Sequence, residues 1–480
     1  MKQNLKDKLV GGILAMLFAF SPVVLADDAS GAQTAALVNN LQKQMANMQK
    51  TIDAQNGKIR NLESRGPVAA GGASMAEPTP PMSDYEFNQR LESSLGGANK
   101  WLKDLSFKGD VRLRYEAFNN TSGRTPSDTD DRNRFRYRLR FGWEKKFSED
   151  LKVGFGLASS EPQGTTSLGD NVSTNSSFDS NFGFKPIFIE KVYASWNPSF
   201  LRGGIVKNTN ITAGKFDNPF EKGSSDIVWD RDVKPEGVAE KIDFNLLDGE
   251  NVDLTAYTTF GQFVLDEDGT TGGDSELFAY QGGLNSVFYT PFMERPMEWL
   301  GAFSFYNYND FAQHGNFSNA IASGARGNTN ADGNTAELDA GAFKVVEVYN
   351  EIGFTPFGLP IRPYYDVATN IGANDPFDNN NLAWALGTKV GGILKKGDWE
   401  VSYAYKSIEP DSVVGNFNDS DFGFSGHSGH HGSVFKAGYA LMDNVSLNLA
   451  AFFVNNLTTG TAGVNDEAQQ RFQTDLVWKI

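Results

Sequence analysis

Eight basic residues recur at alternate positions in two short stretches: Lys108, Arg112 and Arg114, then Arg132, Arg134, Arg136, Arg138 and Arg140. A column of guanidinium groups attracts anions, and it cannot be buried dry without partners. Asp110 and Glu116 share the first stretch and neutralise only part of that charge, so the remaining wall is expected to draw anions locally. Further along, Asp217, Glu221, Asp226, Asp230, Asp232 and Glu236 crowd one connecting segment. Folded toward the arginines, that segment would set up a transverse field that orders water and sorts small polar solutes by charge and dipole. Left on the surface, the same acids would only solvate a loop.

Other chemistry is thin. His427, His430 and His431 are three of the four histidines and lie in one Gly/Ser-rich loop, which reads as polar surface rather than a metal site, and His314 has no companion. No histidine falls on a strand where a Ser/His triad would need it, so the chain does not read as an enzyme. Cysteine is absent, which excludes disulfides, thiolate metal sites and covalent c-type haem attachment. No cofactor is implied. The net charge of −16 argues against nucleic acid as a partner.

The elements that must position the arginines are strands. In 132–143 the arginines alternate with Phe135, Tyr137, Leu139, Phe141 and Trp143. Strand side chains alternate with period two, so one face is cationic and the other is aromatic. Lipid outside and a water-filled lumen inside satisfy both faces. From Leu105 to Ile480 we count sixteen candidate strands, and the connections between them alternate in length. Tight turns fall at 147–150, 247–250, 356–360, 395–398 and 442–444. Long polar loops fall near 118–131, 160–185, 218–234, 309–341, 407–430 and 456–469. Short turns on one rim and long loops on the other mark an outer-membrane barrel. The connection from Pro198 to Asn208 is longer than this parity asks. Trp143, Trp196, Trp299, Trp384, Trp399 and Tyr439 suit interfacial girdles.

Ahead of the barrel, residues 1–26 read as a secretory signal, with Lys2, Lys6 and Lys8, an apolar run, and a small-residue site ending at Ala26. Segment 27–65 carries Val38, Leu41, Met45, Met48, Ile52, Ile59 and Leu62 at heptad spacing, which predicts a periplasmic coiled-coil helix. A Pro/Gly/Ala linker follows at 66–83. A short helix is expected over 84–103, opened by the capping box Ser83-Asp84-Tyr85-Glu86. The barrel then occupies 104–480. No stretch has the roughly 18 apolar residues of a spanning helix.

The segments Gly109–Tyr115, Asp131–Arg140, Glu190–Trp196, Gly214–Phe220 and Trp229–Gly237 resemble those of the Putative porin family of Gram-negative bacteria. The layout is more distantly similar to phosphate-selective porins, although no ladder here singles out phosphate. The resemblance covers about residues 35–480 and is strongest from 105 to 245. It implies a sixteen-stranded all-β transmembrane barrel, usually a homotrimer, seated in outer-membrane lipid with its N-terminal segment in the periplasm. On this reading the chain is a passive channel for small hydrophilic solutes or anions. Two other classes stay open. One is a conduit barrel sheathing a partner protein, which a wide lumen without inward loops would favour. The other is a binding protein acting through its loops at 160–185, 309–341 and 407–430.

Overall fold

A computed structural model describes residues 104–120, 132–162, 168–267, 274–289, 295–311, 326–329, 342–375, 377–423, 428–457 and 468–480. The strands are β1 (Leu105–Asn120), β2 (Arg132–Lys146), β3 (Leu151–Ser159), β4 (Ser176–Ser177), β5 (Ile187–Trp196), β6 (Val206–Lys215), β7 (Glu236–Asp248), β8 (Val252–Asp266) and β9 (Ser275–Phe288). They continue with β10 (Met297–Asn309), β11 (Phe343–Gly353), β12 (Ile361–Asn370), β13 (Leu382–Gly391), β14 (Trp399–Ile408), β15 (His430–Met442), β16 (Val445–Asn456) and β17 (Ala468–Lys479).

Each wall strand pairs antiparallel with the next, and β1 pairs with both β2 and β17, so the sheet closes on itself. The two-residue β4 is an insertion: it pairs with β2 above the end of β3, whose wall neighbour is β5. Without β4 the wall has sixteen strands. Closure leaves no bare edge in hydrocarbon, where an unpaired backbone group costs several kcal/mol. The Pro198–Asn208 connection stays on the short-turn rim. Its extra length holds a 3-10 turn at Ser199–Leu201 and the Gly203–Val206 bridge, and the strand count is unaffected.

Alternation sorts the side chains as period two requires. On β2, Phe135 and Phe141 are 58% and 43% exposed on the outer face, whereas Arg136 is 7% exposed on the inner one. The inner half of the barrel on the long-loop side is packed with apolar groups, among them Phe220, Ile227, Tyr306, Phe343, Ile408 and Phe422.

One expectation is corrected. The fold shown is an antiparallel barrel with no coiled-coil helix among the described residues, whose helical elements are 3-10 turns of three or four residues. A heptad seam needs a second helix to bury against, and no described element supplies one. Segment 27–65 lies outside the described residues, as do the signal at 1–26, the linker at 66–83 and the short helix expected over 84–103. No helix among the described residues is long and apolar enough to cross a membrane.

Candidate functional site

The β1–β2 register sets like charges opposite each other, Arg112 facing Arg138 and Arg114 facing Arg136. Such pairs repel unless carboxylates intervene. Glu116 is fully buried and accepts from Arg134 Nε at 2.5 Å and Arg471 Nη2 at 2.7 Å, with Arg114 and Arg136 at 3.5 and 3.7 Å. Asp475 takes Arg114 in a two-pronged contact, both prongs at 2.7 Å, and lies 3.7 Å from Arg112. Asp421, from the loop after β14, bridges Arg114 at 3.2 Å and Arg471 at 2.7 Å. Arg138 pairs with Asp110 at 2.7 Å, and Arg140 pairs with Glu190 at 3.1 Å and with Asp232. Seven guanidiniums therefore meet six carboxylates, and the wall carries far less free charge than its sequence suggests. Lys108 stays exposed and pairs with Glu144 at 2.6 Å, while Arg132 sits exposed at the first residue of β2.

Four of these partners were not singled out from the sequence: Arg471, Asp475, Asp421 and Glu190. Asp475 had a usable signal, because closure of the barrel puts the inner face of β17 against β1. Asp421 had none, since its place depends on the course of a loop.

The segment between β6 and β7 runs inside the barrel. Its own apolar residues Phe216, Phe220, Ile227, Val228, Trp229 and Val233 are buried. Polar contacts pin it around the wall. Gln281 of β9 donates to the Phe220 and Gly223 carbonyls at 3.0 and 3.3 Å. Ser224 Oγ donates to Glu347 of β11 at 2.5 Å, and the Ser225 N–H to Asp366 of β12 at 2.8 Å. Lys406 of β14 reaches Asp226 at 2.7 Å. Asp232 meets Arg140 of β2 and accepts from Thr174 N and Oγ1, each at 3.1 Å. A segment rooted between β6 and β7 reaches β2 and β14 only through the interior. Close approach is permitted at Gly223, where a Cβ would lie 2.4 Å from Ala302 Cβ and 2.5 Å from the Tyr257 hydroxyl.

The six acids separate accordingly. Asp226, Asp230 and Asp232 are drawn inside. Asp217 and Glu236 stay at the stems, paired with Lys191 at 3.0 Å and Lys215 at 2.6 Å, and Glu221 is exposed on the segment's surface. Burial alone would raise Asp232, but Arg140, Arg138 and Arg112 hold it down at about 2. Asp226 is likewise pulled below the usual carboxylate range against its burial, by Lys406 and then Lys436. Asp230 goes the other way: burial, then Asp232 and Asp419, push it well above that range.

A second loop also turns inward, against the expectation that 407–430 is a surface loop. Val413, Val414 and Phe422 are buried, and Phe417 stacks on Trp229 at 5.8 Å and on Tyr308 at 6.1 Å. Apolar anchors scattered among Gly, Asn and Asp are what draw it in. The two loops clasp each other: the Asp230 N–H donates to the Phe417 carbonyl at 2.6 Å, the Ser420 N–H to Asp230 Oδ2 at 3.0 Å, and Lys406 pairs with Asp419 at 2.8 Å. His430 and His431 open β15 on opposite faces, His430 buried within and His431 outside against the Tyr405 hydroxyl at 2.8 Å, so these two cannot share an ion. His314 and His427 lie outside the described residues.

Against known proteins, a family model described as "Putative porin" matches residues 117–355 and 363–469. The chain belongs to this family. Among solved structures, similar barrels include Pseudomonas putida OprB at high pH, 11% identical with a TM-score of 0.46, covering 81% of this chain and 97% of that one. Salmonella typhi OmpF in complex with daunomycin is 10% identical with a TM-score of 0.42, covering 78% and 97%. An anion-selective porin from Comamonas acidovorans is 12% identical with a TM-score of 0.40, covering 78% and 99%. Among curated proteins none matches. This porin-family chain is an outer-membrane β-barrel. The low-identity structural likenesses lend nothing to the finer similarity with phosphate-selective porins, which is not carried further.

Proposed function

We propose that the barrel is a passive diffusion channel for small hydrophilic solutes or ions, narrowed where the 216–235 segment faces the arginine ladder of β1, β2 and β17. The observation that carries this reading is the entry of the segment into the barrel, where Asp232 pairs with Arg140 of β2 and so brings acid against base inside the lumen. In this role Lys108, Arg112, Arg114, Arg132, Arg134, Arg136, Arg138 and Arg140 line one side, and Asp217, Glu221, Asp226, Asp230, Asp232 and Glu236 belong to the constriction segment. Two inward loops leave little room for a sheathed partner protein, which weighs against a conduit. The inward turn of the loop after β14 removes one of the surfaces a loop-binding protein would use. The chain enters β1 from the short-turn rim, in keeping with cleavage after Ala26 and an N-terminal segment in the periplasm. Assembly as a homotrimer in outer-membrane lipid completes the reading.

The test is conductance of the full chain in planar bilayers. Open channels are expected. Arg134→Ala, Arg136→Ala and Arg138→Ala together leave carboxylates in excess, so the reversal potential in unequal salt should move toward cation selectivity. Silent bilayers would remove the channel, and an unmoved potential would remove the ladder from the path.

A further inference from the structure

The ladder is nearly compensated, so its guanidiniums are poorly free to hold a passing anion. A different cationic group on the inner wall is not compensated. Lys222 of the inward segment and Lys241 of β7 place their ammonium groups 4.7 and 5.4 Å from the centre of the same Tyr257 ring. Lys207 of β6 lies near enough for its charge to act on Lys222, and Asp243 is the one acidic group acting there. Among the described residues, none of the three lysines makes an ion pair. Two like charges thus act on Lys222 against one carboxylate, and Glu347 joins Asp243 in acting on Tyr257. Partial burial, then Lys241 and Lys207 against Asp243, lower Lys222 from its ordinary value, the sign of a cation held among like charges.

Tyr257 fixes the ring on which two of these ammoniums converge. It is 3% exposed, and its hydroxyl finds no hydrogen-bond partner among the described residues. A buried phenol without an acceptor forfeits about 1–3 kcal/mol. The hydroxyl ends beside Gly223, the residue next to Lys222. Lys241 stands opposite Asn210 on β6, and Lys207 is three residues nearer the short-turn rim. The ammoniums therefore step from the inward segment toward the periplasmic mouth.

We propose that Lys222 and Lys241 over the Tyr257 ring, with Lys207 beside them, form a binding subsite for a small carboxylate anion on the periplasmic side of the inward segment. Ammonium groups hold such a ligand as rotatable point-charge donors. The ring quadrupole attracts the cations over its face and offsets part of their repulsion while the subsite is empty. Occupancy by an anion relieves their mutual repulsion.

This inference rests on the channel reading, but it is tested by a measurement that needs no current. Saturable binding of succinate to the detergent-solubilised full chain, followed by NMR saturation transfer, should weaken at least fivefold in Lys222→Gln and in Lys241→Gln, and should hold in Tyr257→Phe, which keeps the ring. Lys395→Gln, in the β13–β14 turn of the short-turn rim and far around the wall from β7, should bind as the parent does. Lys222 is exposed on its segment, so its substitution leaves the barrel intact. Absence of saturable binding, or binding indifferent to Lys222 and Lys241, overturns the subsite whatever the bilayers show. Silent bilayers with the binding retained overturn the channel alone.

Discussion

Lys406 is the side chain on which both inward loops converge, and its removal has a calculable effect. It is 1% exposed and pairs with Asp226 of the first loop at 2.7 Å and Asp419 of the second at 2.8 Å. Lys406→Met keeps the bulk of the stem and leaves two largely buried carboxylates facing each other without a cation. Removing one partner of a buried ion pair costs about 3–5 kcal/mol. The lower end applies here, because Asp226 keeps a quarter of its side-chain surface in water and has Lys436 at 3.9 Å. At about 1.4 kcal/mol per factor of ten, about 3 kcal/mol multiplies the undocked population about a hundredfold. The reporters are two amides that exist only while the loops clasp, Asp230 N–H on the Phe417 carbonyl and Ser420 N–H on Asp230. Their hydrogen-exchange protection should fall by about two orders of magnitude, while amides of β14 between Val401 and Tyr405 hold theirs. Adding Asp226→Asn and Asp419→Asn to Lys406→Met should recover most of the loss, since no unpaired charge then remains. Unchanged protection at Asp230 and Ser420, or an equal loss across β14, would refute the picture of Lys406 as the common tether.

Gly223→Ala drives a methyl group into Ala302 and the Tyr257 hydroxyl, so docking of the first loop should weaken by about 1–3 kcal/mol, read from exchange of the Ser225 amide; full protection there would mean the contact gives way. Asp230 is raised by burial and its acidic neighbours, so the docked state holds its proton more tightly than the free loop does. Its share of docking is present below the ordinary carboxylate value of about 4 and is lost as pH rises through the raised value. Asp232, held at about 2, contributes in the opposite sense, above that ordinary value, and fails as pH falls through about 2. Asp230→Asn should therefore flatten the decline of Ser420 protection on the alkaline side and leave the acid limb alone; an unaltered profile would show that another group titrates. Phe141→Lys, on the outer face of β2, should cost about 2 kcal/mol or more in urea unfolding from lipid vesicles. A neutral result would place that face against protein rather than hydrocarbon.

The faces of the strands were legible because alternation is local. Five residues suffice to tell that Phe135 and Arg136 look opposite ways, and the number of strands follows from repeating that reading between turn signals. The partners of the arginines were not legible in the same way. Arg114 finds Asp475, 361 positions away, and only ring closure brings them together. The acids of the 217–236 segment left its course open between lumen and surface, and its apolar Phe216, Phe220, Ile227 and Trp229, all buried, were the signal left unused. The 407–430 loop concealed the same behaviour, because Val413, Val414, Phe417 and Phe422 are diluted by Gly, Asn and Asp until the stretch averages as polar. The arginine column misled for a related reason: a row of like side chains says nothing about the acids that tertiary structure will insert between them. The heptad pattern ahead of the barrel was a local signal whose fulfilment depends on a partner helix.

The meeting of β1 with β17 has a consequence for how such a molecule is made. All other ladders join strands adjacent or next but one along the chain, whereas this seam zips Asp110 through Asn120 to Lys479 through Gln469. Until the final strand arrives, the growing wall is an open ribbon with two adhesive borders, each able to recruit another chain. Arg114 with Asp475 and Arg471 with Glu116 straddle that seam, two crossed charge pairs of opposite polarity. A border slipped by one residue would turn these groups outward into oil, so the buttoning is proofread by electrostatics as well as by backbone bonds.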